Sequence, residues 1–96
     1  MRPMNIDDEC PIPRSSVESY EVADETILYD RDRRVAFSLN THARAIWELC
    51  DGARSVQQIT SVLAEWLDRY EPDLHEDIRN TIHRFRELGI VSFRDL

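Results

Sequence analysis

A chain of 96 residues has the mass for one small domain and none to spare for a second core. Its 19 acidic residues against 12 arginines leave a net charge of −7, which repels phosphate backbones and anionic lipid surfaces and argues against nucleic acid or a membrane as partner. Every basic side chain is Arg, so lysine Schiff-base chemistry and a Walker-type phosphate loop are excluded together.

Residues 1–14 combine Pro3, Pro11 and Pro13 with the acidic run Asp7-Asp8-Glu9. Too little apolar surface is present to offset ordering entropy, so the stretch reads as a flexible N-terminal arm ahead of a domain over 15–96. Asp7 to Glu9 are then solvated, and Cys10 is exposed without a neighbour to activate it. The start of the chain lacks the apolar run of a signal peptide, and no later stretch approaches membrane-spanning length, which predicts a cytoplasmic protein with reduced cysteines.

In Val17 to Val22, Glu18, Tyr20 and Val22 alternate with Val17, Ser19 and Glu21, and the Tyr20/Val22 set suits the apolar side of a strand. Thr26–Tyr29 and Val35–Leu39 are β-favouring runs joined by the charged Asp30-Arg31-Asp32-Arg33-Arg34, a hairpin connection. Asn40 is an N-cap for a first helix that carries Ala43, Ile46, Trp47 and Cys50 on one face and stops before Gly52. Ser55 with Gln58 forms a capping box for a second helix, whose stripe is Val56, Ile59, Leu63, Trp66, Leu67 and Tyr70. Pro72 ends it. Asp73 and Glu76 then open a third helix with Leu74, Ile78, Ile82 and Phe85 inward, closed by Gly89 and followed by an extended tail, Ile90 to Phe93. Both glycines of the chain are used as helix stops, so no glycine-rich phosphate or dinucleotide loop exists.

The hairpin ending in Leu39-Asn40, the helix with Ala43, Ile46 and Trp47, the Cys50-Asp51-Gly52 stop, Ser55-Val56 with Ile59, and Leu88-Gly89-Ile90-Val91 together resemble the pyrroloquinoline quinone (PQQ) biosynthesis protein D (PqqD) family. The likeness is spread from Val22 to Val91. It implies an α+β, winged-helix-like fold, a three-stranded antiparallel sheet followed by three α-helices. It also implies a peptide chaperone without catalysis of its own and without a cofactor, a recognition element for ribosomally made, post-translationally modified peptides (RiPPs) in PQQ or other natural product biosynthesis. The leader of a precursor peptide would add as a strand to the third strand, Arg34, Val35, Ala36, Phe37 and Ser38, and lie against helix three, at Ile78, Thr81, Ile82 and Phe85. The implied partners are the precursor peptide and a peptide-modifying enzyme, with a radical SAM enzyme as one candidate, and the protein itself is a monomer or homodimer. Two other functions fit the same elements: a winged-helix DNA-binding regulator, which the charge disfavours, and a protein–protein adaptor whose edge strand pairs with another protomer.

The remaining residue types carry blander readings. Trp47 and Trp66 lie on apolar stripes and belong to the core, whereas Phe37 suits the core and the groove equally. His75 and His83 stand about 12 Å apart along a helix and cannot share a metal, and His42 has no set of ligands around it. Cys50, on an apolar face near a helix C-terminus, carries a raised, unreactive thiol. Arg79, Arg84 and Arg86 among Glu76, Asp77 and Glu87 keep helix three soluble.

Overall fold

The computed structural model describes residues 6–67 and 72–94. After a 3-10 turn at Ile6–Asp8 come four strands, β1 (Cys10–Pro13), β2 (Val17–Val22), β3 (Glu25–Asp30) and β4 (Val35–Leu39). Helices α1 (Thr41–Leu49), α2 (Val56–Trp66) and α3 (Pro72–Glu87) follow, and β5 (Val91–Arg94) ends the described chain. Strands β2, β3 and β4 form one antiparallel sheet in that order, while β1 and β5 pair separately as an antiparallel ribbon. The expected α+β order of three sheet strands and then three helices is the one observed, and the strand expected third is β4.

Local chemistry sets the helix ends. Asn40 accepts from the Ala43 amide at 2.8 Å, which satisfies one orphan donor of α1. Ser55 Oγ accepts from the Gln58 amide at 3.2 Å while Gln58 Oε1 accepts from the Ser55 amide at 2.8 Å, closing the capping box of α2. Pro72 is the first residue of α3, where its missing N–H costs nothing. Asp73 therefore sits in the first turn and favours the positive helix end by charge. At the other end of α3 the Ile90 amide donates to Phe85 O at 3.0 Å and the Gly89 amide to Arg86 O at 2.9 Å, a Schellman closure that needs the left-handed φ of +75° found at Gly89.

The core lies between the helices and one side of the sheet. Leu28, Ile59 and Ile82 are fully buried, and Leu74, Ile78 and Phe85 fill the inner stripe of α3. Trp47 meets Phe85 edge-on at 5.8 Å between ring centroids, joining α1 to α3 by a favourable aromatic geometry.

Five expectations are corrected. The arm expected over residues 1–14 is, in its described part, built into the fold: β1 pairs with β5, Gly52 N–H donates to Pro11 O at 2.9 Å, and Val56 N–H donates to Glu9 O at 3.0 Å. Cys10 is buried, not exposed. Backbone pairing orders this segment together with the full burial of Cys10 and Pro11, and composition does not register the pairing. Asp7 likewise reaches α3, with His75 Nε2 at 3.0 Å and Arg79 Nε at 3.4 Å. The apolar side of β2 is not Tyr20 and Val22, which are 49% and 59% exposed; Val17 packs on the core instead. Trp66 is 63% exposed, because α2 ends beside it and its stripe has run past the body of the domain. Tyr70, placed on the same stripe, lies outside the described residues.

Candidate functional site

The sheet has two outer strands, and they differ in a way that matters. Edge strands present unpaired amides and carbonyls, and proteins normally guard them with charge. β2 follows that rule: Glu18 is bridged to Arg31 at 3.3 Å, and Glu21 to Arg44 of α1. β4 reads Val-Ala-Phe-Ser-Leu, with no charge and no proline, and among the described residues it pairs on one side only, with β3.

Alternation along β4 sends Val35, Phe37 and Leu39 toward the helices, since Phe37 is the register partner of the fully buried Leu28. Exposure along this row rises from 8% at Leu39 to 38% at Val35, with Phe37 between. The row thus opens progressively to solvent beside the helical layer. Phe37 packs against the core from a half-buried position in this row.

The segments that flank β4 lie at the two ends of α3. At its start, Arg33 donates through Nε to Asp30 Oδ2 at 2.7 Å and through Nη2 to the carbonyl oxygen of Leu88. Asp30 is itself buried and also accepts from the amides of Asp32 and Arg33. The Arg33 guanidinium, followed by Ser16 and the two amides, outweighs burial and holds the Asp30 carboxyl down to about 2. Beyond the other end of β4, Thr41, His42, Ala45 and Ile46 of α1 share an apolar cleft of about 190 Å³ with Leu63, Leu67, Leu74, Asp77, Ile78 and Thr81. Cavities of about 150 Å³ hold a benzene ring, so this cleft has room for one Leu- or Phe-sized side chain.

Asp77, Thr81, Arg84 and Leu88 recur at helical spacing and mark the flank of α3 between these two anchor points. The sequence-named residues divide accordingly. Arg34, at φ +57°, and Val35, Ala36 and Ser38 are exposed. Thr81 is half-buried at the cleft. Ile78, Ile82 and Phe85 are 1%, 0% and 3% exposed and belong to the core, with only Ile78 reaching the cleft wall. Asp77, the α1 residues and Arg33 were not named for the site from the sequence. Elsewhere, burial and then Asp51 push the Cys50 thiol up to about 12. Among the described residues no group of three or more His, Cys, Asp or Glu is placed to hold a metal ion. No described helix is long and apolar enough to cross a membrane.

The family model for Coenzyme PQQ synthesis protein D (PqqD) matches residues 25–91. The chain belongs to the PqqD family. The match runs from the first residue of β3 to the first of β5, so it takes in every element of the groove and leaves out β1 and β2. No curated protein matches the chain. Two solved structures share the fold seen here. One is TbiB1 in complex with the TbiA(beta) leader peptide, at TM-score 0.74 and 17% identity, covering 84% of this chain and 94% of that one. The other is a lasso peptide synthetase B1 complexed with the leader peptide, at TM-score 0.73 and 16% identity, covering 86% and 98%.

Proposed function

We propose that this PqqD-family chain is a cytoplasmic RiPP recognition element that binds the leader of a ribosomally made precursor peptide and presents it to a peptide-modifying enzyme, a radical SAM enzyme being one class that fits. The observation that carries this reading is the unguarded edge of β4 beside α3. The family membership and the leader peptides bound by two proteins of the same fold support it.

The leader adds antiparallel to β4 over Arg34 to Ser38, its amides and carbonyls completing those of the edge. Its side chains on the helix side lie over Val35 and Phe37, against the flank marked by Asp77, Thr81 and Arg84. An apolar side chain near the leader's N-terminal end enters the cleft at the start of α1, because an antiparallel strand begins where β4 ends. Ile78, Ile82 and Phe85 act beneath the groove as its floor. The protein supplies no acid, base or nucleophile to the peptide; the chemistry belongs to the enzyme.

The test is an NMR titration of isotope-labelled protein with the short peptide encoded beside its gene, and with a scrambled version. Saturable shifts for the native peptide along Arg34–Ser38 and at Asp77, Thr81 and Arg84 are expected. Saturable shifts confined to other elements, or none at millimolar peptide, would overturn the assignment.

A further inference from the structure

The sheet has a second face that the groove does not use. Leu28, at 0% exposure, marks the side turned to the helices, and its partners Ser19 and Phe37 share that side. The opposite side carries Tyr20, Val22, Ile27, Tyr29, Ala36 and Ser38. Tyr20 and Val22 are 49% and 59% exposed, Ala36 and Ser38 are exposed, and Ile27 and Tyr29 are half-buried. A sheet with one solvated face normally turns polar residues outward. Here the middle of the outward face is apolar and aromatic, the mark of an interaction site.

Its charges sit at the edge. Asp24 and Glu25, at the β2–β3 turn, are exposed and take no ion pair among the described residues. Glu18, at the far end, is already engaged by Arg31 and by the Tyr20 hydroxyl.

Size and charge choose the occupant. Three strands about 4.8 Å apart and about five residues long give a face of about 14 by 17 Å, roughly 240 Å². A standard stable interface takes about 800 Å² from each partner, so this patch alone does not hold a permanent dimer. Two copies at −7 each also repel. A transient complex with a protein whose apolar contact is bordered by Arg or Lys fits both facts.

We infer that this outward face docks the peptide-modifying enzyme, which meets Tyr20, Val22, Ile27 and Tyr29 with an apolar surface and Asp24 and Glu25 with basic side chains. The inference rests on the peptide-presenting role proposed above. It explains how presentation works without competition: alternate residues of β4 serve two partners, with Val35 and Phe37 toward the leader and Ala36 and Ser38 toward the enzyme.

The experiment measures binding of the full chain to the immobilised modifying enzyme encoded with it, alongside peptide binding by fluorescence polarisation. Tyr20→Thr/Val22→Thr removes the apolar contact yet retains strand-forming residues at exposed positions. It should weaken enzyme binding at least tenfold while leaving peptide affinity and melting temperature near wild type. Asp24→Lys/Glu25→Lys should weaken enzyme binding several-fold at low salt, with the difference fading at 1 M salt. Thr81→Trp, which fills the cleft, should do the reverse: peptide binding falls and enzyme binding persists. Enzyme binding unchanged in Tyr20→Thr/Val22→Thr would overturn the docking face and leave the peptide reading standing. A wild-type dimer in sedimentation that this variant abolishes would reassign the face to a second copy. A wild-type chain that binds no peptide would overturn both.

Discussion

Replacing Gly89 by Ala probes the joint that ties the β3–β4 hairpin to the end of α3. Gly89 holds φ at +75°, and a left-handed Ala costs about 1 kcal/mol. A Cβ there would also stand 2.6 Å from Arg33 Nη2 and 2.7 Å from Nη1, well inside contact distance. The guanidinium must withdraw, weakening its hydrogen bonds to the Leu88 carbonyl and the Asp30 carboxylate. A hydrogen bond involving a charged group contributes about 1.5–3 kcal/mol, but Arg33 is half exposed and water replaces part of that. The total is about 2–3 kcal/mol, a fall of about 10–20 °C in melting temperature for a domain of this size. Urea denaturation of Gly89→Ala, Arg33→Ala and the double variant separates the two contributions. With Arg33 already truncated, Gly89→Ala should cost only the backbone share, about 1 kcal/mol. Equal costs in the two backgrounds would refute the joint, and a single-variant cost below about 0.5 kcal/mol would refute the backbone argument as well.

Asp30 titrates at about 2 in the fold, below its ordinary 3.8; the stability it confers is therefore complete above about pH 4 and is lost as pH falls from 4 toward 2. Urea midpoints between pH 2 and 6 should fall more steeply for wild type than for Asp30→Asn, and parallel profiles would remove the Arg33 pairing as cause. Cys10 and Cys50 are buried, at 0% and 3% exposure, and Cys50 titrates at about 12, so an aromatic disulfide reagent at pH 8 should modify neither thiol until denaturant is added. Rapid labelling of the native protein would contradict that packing. Trp47→Ala should cost about 3–5 kcal/mol in the core, whereas Trp66→Ser, at 63% exposure, should stay within about 0.5 kcal/mol in the same denaturation assay.

Elements whose cause is local were legible in the sequence. Asn40, the Ser55–Gln58 box and Gly89 each satisfy or close backbone groups within a few residues, and the structure uses all three as their residue types suggest. The inner stripe of α3 was legible for the same reason, its period matching the helix. Where non-local partners decide, the reading failed. β1 exists because β5 arrives beside it from eighty residues away in the chain, and no pattern within a proline-rich segment announces that. The side of β2 that packs inward depends on register with β3, so two apolar residues on the alternate set misled the assignment. The third strand was named for the site through the family resemblance, and the structure makes it an outer strand without charge. Ile78, Ile82 and Phe85, named for binding through the resemblance, are also the inner stripe that the periodicity predicts, and the structure buries them in the core.

If the leader adds to β4 as proposed, strand addition alone gives the groove register rather than affinity. About five added residues form about five main-chain hydrogen bonds, each contributing about 1 kcal/mol net. Ordering those residues costs about 1–2 kcal/mol apiece, so backbone pairing at best breaks even. Affinity must come from apolar burial, and a Leu- or Phe-sized side chain contributes about 1.5–3 kcal/mol. Two places can provide it: the cleft among Ala45, Ile46, Leu63 and Ile78, and the half-exposed Phe37 and Val35 along the groove. With two such contacts the balance turns favourable by only a few kcal/mol before the cost of association. On the proposed function the complex is therefore reversible by construction, which suits a protein proposed to release its peptide. On the same proposal, a strand that lacks the matching side chains gains nothing by pairing with the unguarded edge of β4, so a cleft that selects the leader would also protect the edge from other strands.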